Sequence, residues 1–159
     1  MATTGNISLL KGIPTIEDAF VVIVKTEWNA SIVDALASGA TSILNAAAVA
    51  YETLVVPGAV ELTFAVRAHA LQASRKADAY IVLGTVIKGD TPHFEYVCQS
   101  VTDGVTSLNL QLPVPTIFGV LTVLNEVQAQ ERIGGIHGHK GEEAAITALK
   151  MIHLQRNLQ

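Results

Sequence analysis

Residues 79–108 read AYIVLGTVIKGDTPHFEYVCQSVTDGVTSL. The first five, Ala79–Leu83, are apolar with no polar alternation, the pattern of a strand buried on both faces of a parallel sheet. Gly84 to Asp90 reads as a loop. Thr91-Pro92-His93 reads as a helix start, with Thr at the N-cap and Pro at the first helical position. Phe94, Val97, Val101, Val105 and Leu108 then recur at spacings of three, four, four and three, which keeps them on one helical face.

The same alternation continues on both sides. Phe20–Val24 is a β-branched apolar run, and Asn29 to Ala48 turns helical, with Ile32, Leu36, Ile43 and Ala47 on one face. Thr53–Val56 is strand-like and ends at the Pro57-Gly58 breaker. Val60 to Ala73 is Ala-rich and helix-prone. Pro115 to Leu121 reads as a fourth strand, Asn125 to Arg132 as a short helix, Gly134 to Gly141 as a glycine-rich turn, and Glu142 to about Gln155 as a final helix. Strands alternating with helices predict an α/β protein: a three-layer α/β/α sandwich with a mostly parallel central sheet. Residues 1–18, polar and holding Gly5, Gly12 and Pro14, read as an N-terminal arm, and residues 19–159 as a single domain.

Composition narrows the class. A chain of 159 residues is long enough for one full core and too short for two. Its 10 Lys+Arg against 14 Asp+Glu give a net charge of −4, which argues against a non-specific nucleic-acid binder. The lone Cys98 builds neither a disulfide framework nor a cysteine zinc site. Charged residues are 15%, against a usual share of about a quarter, and apolar residues are 50%, which excludes disorder. The apolar runs are strand-sized, far short of the roughly 20 residues of a membrane span. The N-terminal MATTGNISLLKG lacks the basic head and apolar core of a secretory signal. A mean hydropathy of +0.41 therefore predicts a cytoplasmic homo-oligomer with large apolar interfaces.

In a parallel sheet the default ligand site is the crevice at the carboxyl ends of the strands. Four segments fall there. In the Gly84–Val97 segment, the N–H groups of Gly89, Asp90 and Thr91, with the helix dipole and the Thr91 hydroxyl, would form a phosphate-sized anion site. Plain capping by Thr91 accounts for the same residues. Lys88 would add charge there. His93 is either a surface histidine or a proton-transfer group beside that cradle. The only tryptophan, Trp28, would stack on a flat ligand, pack in the core or pack at an oligomer contact. Glu61 would accept from ligand hydroxyls, or simply favour the start of a helix. Arg132 would grip a phosphate or close a helix C-terminus. His137 and His139 without a carboxylate pair make a poor metal site, so no metal is expected. Walker, dinucleotide and nucleophile-elbow motifs are absent from the sequence.

Five blocks taken together resemble the lumazine synthase family, the 6,7-dimethyl-8-ribityllumazine synthases of riboflavin biosynthesis. They are Glu27-Trp-Asn29, Val56-Pro-Gly-Ala-Val-Glu61, the whole of Gly84–Val97, Pro115-Thr-Ile-Phe-Gly-Val-Leu-Thr122, and Glu131-Arg132 followed by Gly138-His-Lys-Gly141. The resemblance runs from about Phe20 onward and implies a flavodoxin-like central sheet. It implies condensation of 5-amino-6-(D-ribitylamino)uracil with 3,4-dihydroxy-2-butanone 4-phosphate, releasing phosphate and water, with no cofactor. By the family pattern His93 is the proton donor. Trp28, Ala59, Val60, Glu61, Thr85, Val86 and Ile87 take the pyrimidine and ribityl side. Phe118 is supplied by a neighbouring subunit. Asp90 and Thr91 form the phosphate turn with Arg132 as clamp, and Asn29, Lys140 and Glu143 are supporting positions.

The sequence departs from that pattern in places. Trp28 replaces the commoner Phe, and the larger ring would favour flavin product binding. His139 stands where Asn is usual, Val60 replaces Phe or Tyr, and Leu121-Thr122-Val123 breaks a paired threonine. The resemblance also implies a homopentamer, and the short turn from Arg132 to Lys140 resembles members that form a 60-subunit icosahedral shell. The alternative is a flavin-binding or storage shell protein of the same fold, which keeps the Trp28 pocket and does no condensation. A flavodoxin-like electron carrier fits poorly, because its phosphate loop should follow the first strand, where Thr26-Glu27-Trp28-Asn29 stands.

Overall fold

A computed structural model describes residues 12–158. Four strands, β1 (Phe20–Thr26), β2 (Ala50–Val56), β3 (Ala79–Ile87) and β4 (Thr116–Val123), alternate with helices α1 (Ala30–Ala46), α2 (Glu61–Gln72) and α3 (His93–Gln111). A short helix α4 (Glu126–Gln130), two small strands β5 (Ile133–Gly135) and β6 (Gly138–His139), and helix α5 (Lys140–Arg156) complete the chain. All pairings in the main sheet are parallel, in the order β2-β1-β3-β4.

The three layers follow from which way each strand residue points. In β1 and β3, Ile23, Ile81 and Leu83 join Leu36 and Leu44 of α1 and Leu149 and Ile152 of α5 in one core. Their neighbours Val22, Val24, Tyr80 and Val82 join Leu62 and Val66 of α2 and Val101 and Val105 of α3 in another. Both sheet faces are thus covered, which is why the central strands lack polar alternation. The α3 stripe behaves as its spacing predicts: Val101, Val105 and Leu108 are buried, and Phe94 and Val97 half-buried. On α1 the buried face is Ile32, Val33, Leu36, Ala40 and Leu44, while Ile43 and Ala47 lie at its margin.

Five local expectations are corrected. The second strand begins at Ala50 and not at Thr53, because Ala50–Glu52 pair with Phe20–Val22 of β1. The third strand does not stop at Leu83. Gly84–Ile87 continue it because they pair with Val120–Val123 of β4, so the connection is only residues 88–92. Thr91 is not the N-cap of α3: the helix starts at His93, with Pro92 at the cap and no side-chain capping bond. The glycine-rich turn is a small antiparallel hairpin in which Ile133 faces His139 and Gly135 faces Gly138. Gly134 (φ 114°) and Gly138 (φ 74°) occupy the left-handed region that side-chain-bearing residues avoid. The last helix begins at Lys140, two residues early, because the His139 Nδ1 accepts the Glu142 N–H at 3.4 Å.

Of the expected arm, residues 1–11 lie outside the described residues. Within residues 12–18, Ile16 is buried and Ile13 packs against the core beside α1 and α5. The Arg156 guanidinium donates to the Glu17 carbonyl at 2.6 Å. Among the described residues no helix is long and apolar enough to cross a membrane.

Candidate active site

The strand order fixes where a ligand fits. From β1 the chain first steps outward to β2, then returns to place β3 on the other side of β1. The carboxyl ends of β1 and β3 therefore flank the topological switch point, where connections diverge and leave a crevice. A cleft of about 390 Å³ opens there, lined by Thr26, Trp28 and Asn29 after β1, Ala59–Glu61 at the start of α2, Thr85–Ile87 on β3, and His93 and Val97 on α3.

Each wall is held by specific bonds. The Glu27 N–H donates to the Val56 carbonyl at 2.8 Å and the Trp28 N–H to the Pro57 carbonyl at 3.2 Å, tying the β1 loop to the β2 turn. The Thr26 hydroxyl donates to the Trp28 carbonyl at 3.1 Å. Asn29 is left-handed (φ 58°), and its side-chain amide donates to the Thr85 carbonyl at 2.8 Å instead of capping α1. Two strand ends are thereby joined across the cleft floor. The Trp28 indole remains 68% exposed, a flat apolar surface facing the opening. Glu61 is the first residue of α2, and its Oε2 accepts the Gly58 N–H at 3.1 Å. His93 is exposed at the first position of α3.

Asp90 and Thr91 lie in the exposed connection before α3 and do not line the cleft. Among the described residues the N–H groups of Gly89, Asp90 and Thr91 have no protein partner. They sit beside the positive end of a 19-residue helix. The Lys88 ammonium is engaged by Glu95 at 3.1 Å. The backbone N–H of Glu95 and then Lys88 hold that carboxyl below the usual range.

The remaining expected residues sit elsewhere in the chain. Phe118, 40% exposed, lines another concavity of about 480 Å³ along the free edge of β4, together with Lys140 and Glu143. The Lys140 ammonium donates to both Glu143 oxygens at 2.8 Å. At the start of that edge, Asn109 of α3 bonds both the N–H and the carbonyl of Thr116 at 2.8 Å, as a neighbouring strand would. Arg132 lines neither cavity: its guanidinium donates to the Gln128 carbonyl at 2.7 Å, closing α4, and lies 3.8 Å from Glu131. Of its two readings, helix closure is the one realised within a single chain. His137 lies 3.7 Å from Glu131, while His139 caps α5.

Thr26 and Val97 line the cleft but are not singled out by sequence reasoning. Thr26 is hidden inside a strand, and Val97 passes for one more member of the apolar stripe of α3.

A parallel three-layer protein of flavodoxin-like type, with an aromatic ring, a carboxylate and an imidazole gathered at its switch point, is built as a small-molecule enzyme. The family described as 6,7-dimethyl-8-ribityllumazine synthase matches residues 18–156. A protein of that name from Parabacteroides distasonis is 46% identical over 144 residues, covering 89% of each chain. One from Porphyromonas gingivalis is 46% identical over 149 residues, 92% of this chain and 91% of its own. One from Bdellovibrio bacteriovorus is 48% identical over 137 residues, 86% of this chain and 75% of its own. The chain belongs to the 6,7-dimethyl-8-ribityllumazine synthase family.

Proposed function

We propose that this chain condenses 5-amino-6-(D-ribitylamino)uracil with 3,4-dihydroxy-2-butanone 4-phosphate in the cytoplasm, giving 6,7-dimethyl-8-ribityllumazine, phosphate and water. The observation that carries the reading is the coincidence of family membership with the cleft: Trp28, Asn29, Ala59, Val60, Glu61, Thr85, Val86, Ile87 and His93 line one crevice.

Trp28 stacks on the pyrimidine ring, and Glu61 accepts from the ribityl side. The phosphate rests on the N–H groups of residues 89–91 before α3, with Asp90 and Thr91 at the turn. A phosphate dianion is favoured there by unpaired donors and by the helix dipole together. Imine formation, phosphate loss and ring closure each need a proton moved at the butanone-derived atoms. His93, two residues past Thr91, is the group in reach, and it needs no metal. Much of the acceleration comes from holding two mutually reactive molecules together.

Phe118, Arg132, Lys140 and Glu143, which lie outside this cleft, are supplied by a neighbouring copy. The separation of the two concavities on one chain supports that reading, as do the exposed Trp28 and Phe118. The assembly we propose is a homopentamer, stacked further into a 60-subunit shell. A flavin-storage protein is not favoured, because the relatives carry a synthase name and the His93–Thr91 region has no use in storage. Mixing the two substrates with purified protein and following lumazine absorbance tests the activity. Well-assembled protein that yields no lumazine but carries tightly bound flavin would replace it with storage.

A further inference from the structure

Gly58 has a backbone that any residue adopts, since it is not among the positive-φ positions. Its lack of a side chain therefore serves space. A Cβ built there would meet Trp28 Cζ3 at 2.7 Å and Cε3 at 2.8 Å, and Glu61 Oε2 at 3.1 Å. The first two are contacts that real Cβ atoms essentially never make. Both side chains it touches line the cleft, one on each side of the β2 turn. Gly58 also donates its N–H to that same Glu61 oxygen at 3.1 Å.

We infer that Gly58 is a positioning residue: its bare Cα seats the benzo ring of Trp28 against the 57–58 turn while its N–H aims the Glu61 carboxylate, so that one residue sets ring and acceptor relative to each other. This rests on the proposed role of the cleft in holding the ribitylamino-uracil. The indole is mostly exposed and the Glu61 carboxylate is the far end of a flexible side chain. An added methyl is therefore relieved by swinging the ring outward and not by unfolding. The substitution should alter binding while sparing the fold.

Because Trp28 is the only tryptophan, intrinsic fluorescence reports on this ring alone. In Gly58→Ala, Trp28 emission should shift to longer wavelength and acrylamide quenching should rise, with Tm nearly unchanged. KM for the uracil substrate should rise about threefold to tenfold, the worth of a lost stacking contact. KM for the phosphate substrate should stay near its parent value. In a Trp28→Phe background the same Gly58→Ala change should cost much less, since the ring atoms it strikes are absent. Unchanged Trp28 fluorescence in Gly58→Ala, or an equal penalty in both backgrounds, overturns the inference. Parent protein that makes no lumazine overturns the proposed reaction instead, and the fluorescence comparison still judges Gly58.

Discussion

His93 and Arg132 have different surroundings, and their substitutions separate accordingly. His93 is exposed at the first position of α3. His93→Ala should slow turnover severalfold or more, with assembly intact, as judged by steady-state kinetics beside light scattering. Arg132→Ala should chiefly raise KM for the phosphate substrate. It also removes the bond to the Gln128 carbonyl, so its Tm should fall slightly. Kinetics unimpaired in both variants would dissolve these assignments. The identities of these residues could be read from motif blocks, and the position of Arg132 at a helix end already offered the helix-closing bond it makes to the Gln128 carbonyl. The Asn29 pattern does not reveal that its amide crosses to Thr85 instead of capping its own helix.

At the scale of elements, β2 is an edge strand with an open outer side, and a polar chain adds to the pairing and apolar packing that hold it. The buried Tyr80 hydroxyl of β3 lies 2.9 Å from His69 Nδ1 of α2, and His69 Nε2 lies 2.7 Å from Glu52 of β2. A neutral His69 protonated on Nε2 satisfies both, accepting from Tyr80 and donating to Glu52. Burial, then the Glu52 charge, pushes the Tyr80 phenol up from 10.0 to about 12. The folded state therefore holds that proton more tightly than the unfolded chain does. The contribution is complete below pH 10 and is lost as pH rises from about 10 to about 12, up to about 3 kcal/mol. Tyr80→Phe should be less stable near neutrality, through the lost hydrogen bond, and should show a flatter decline above pH 10. Urea titrations at about pH 9 and about pH 11 test this, and parallel declines in the two proteins would refute it. Strand cores were legible because burial on both faces leaves an uninterrupted apolar signature. Strand ends were not: β3 gains Gly84–Ile87, and β2 gains Ala50–Glu52, through pairing with partners distant in the chain.

For the whole molecule, the apolar composition and the two open concavities point the same way. Exposed large side chains outside the cleft include Phe64, Tyr96, Phe118 and Leu124, an apolar surface that favours burial against other copies. Light scattering of purified protein should give the mass of a 60-chain shell, or of a pentamer if the shell does not close, and a monodisperse monomer would contradict both. Phe118→Asp, which puts a charge on the exposed edge of β4, should weaken the assembly and the activity together. The fold class was legible from alternation alone. The proposed division of the site was legible only through the family resemblance, which implies that Phe118 comes from a neighbouring subunit; sequence order alone says nothing about which edge of a sheet faces a given neighbour.

The proposed division carries a genetic consequence. In the proposed ring, each chain offers one half of a catalytic unit to one neighbour and receives the other half from the next, so every chain uses both. Chains crippled in opposite halves, His93→Ala and Arg132→Ala, should then heal one another when unfolded and reassembled in equal mixture. By chance about a quarter of the junctions would draw both sound halves from different parents. At low concentrations of the phosphate substrate, where each preparation alone is impaired, the mixture should outrun the mean of the two. Such a gain would be heterozygote rescue written into the geometry of one sheet.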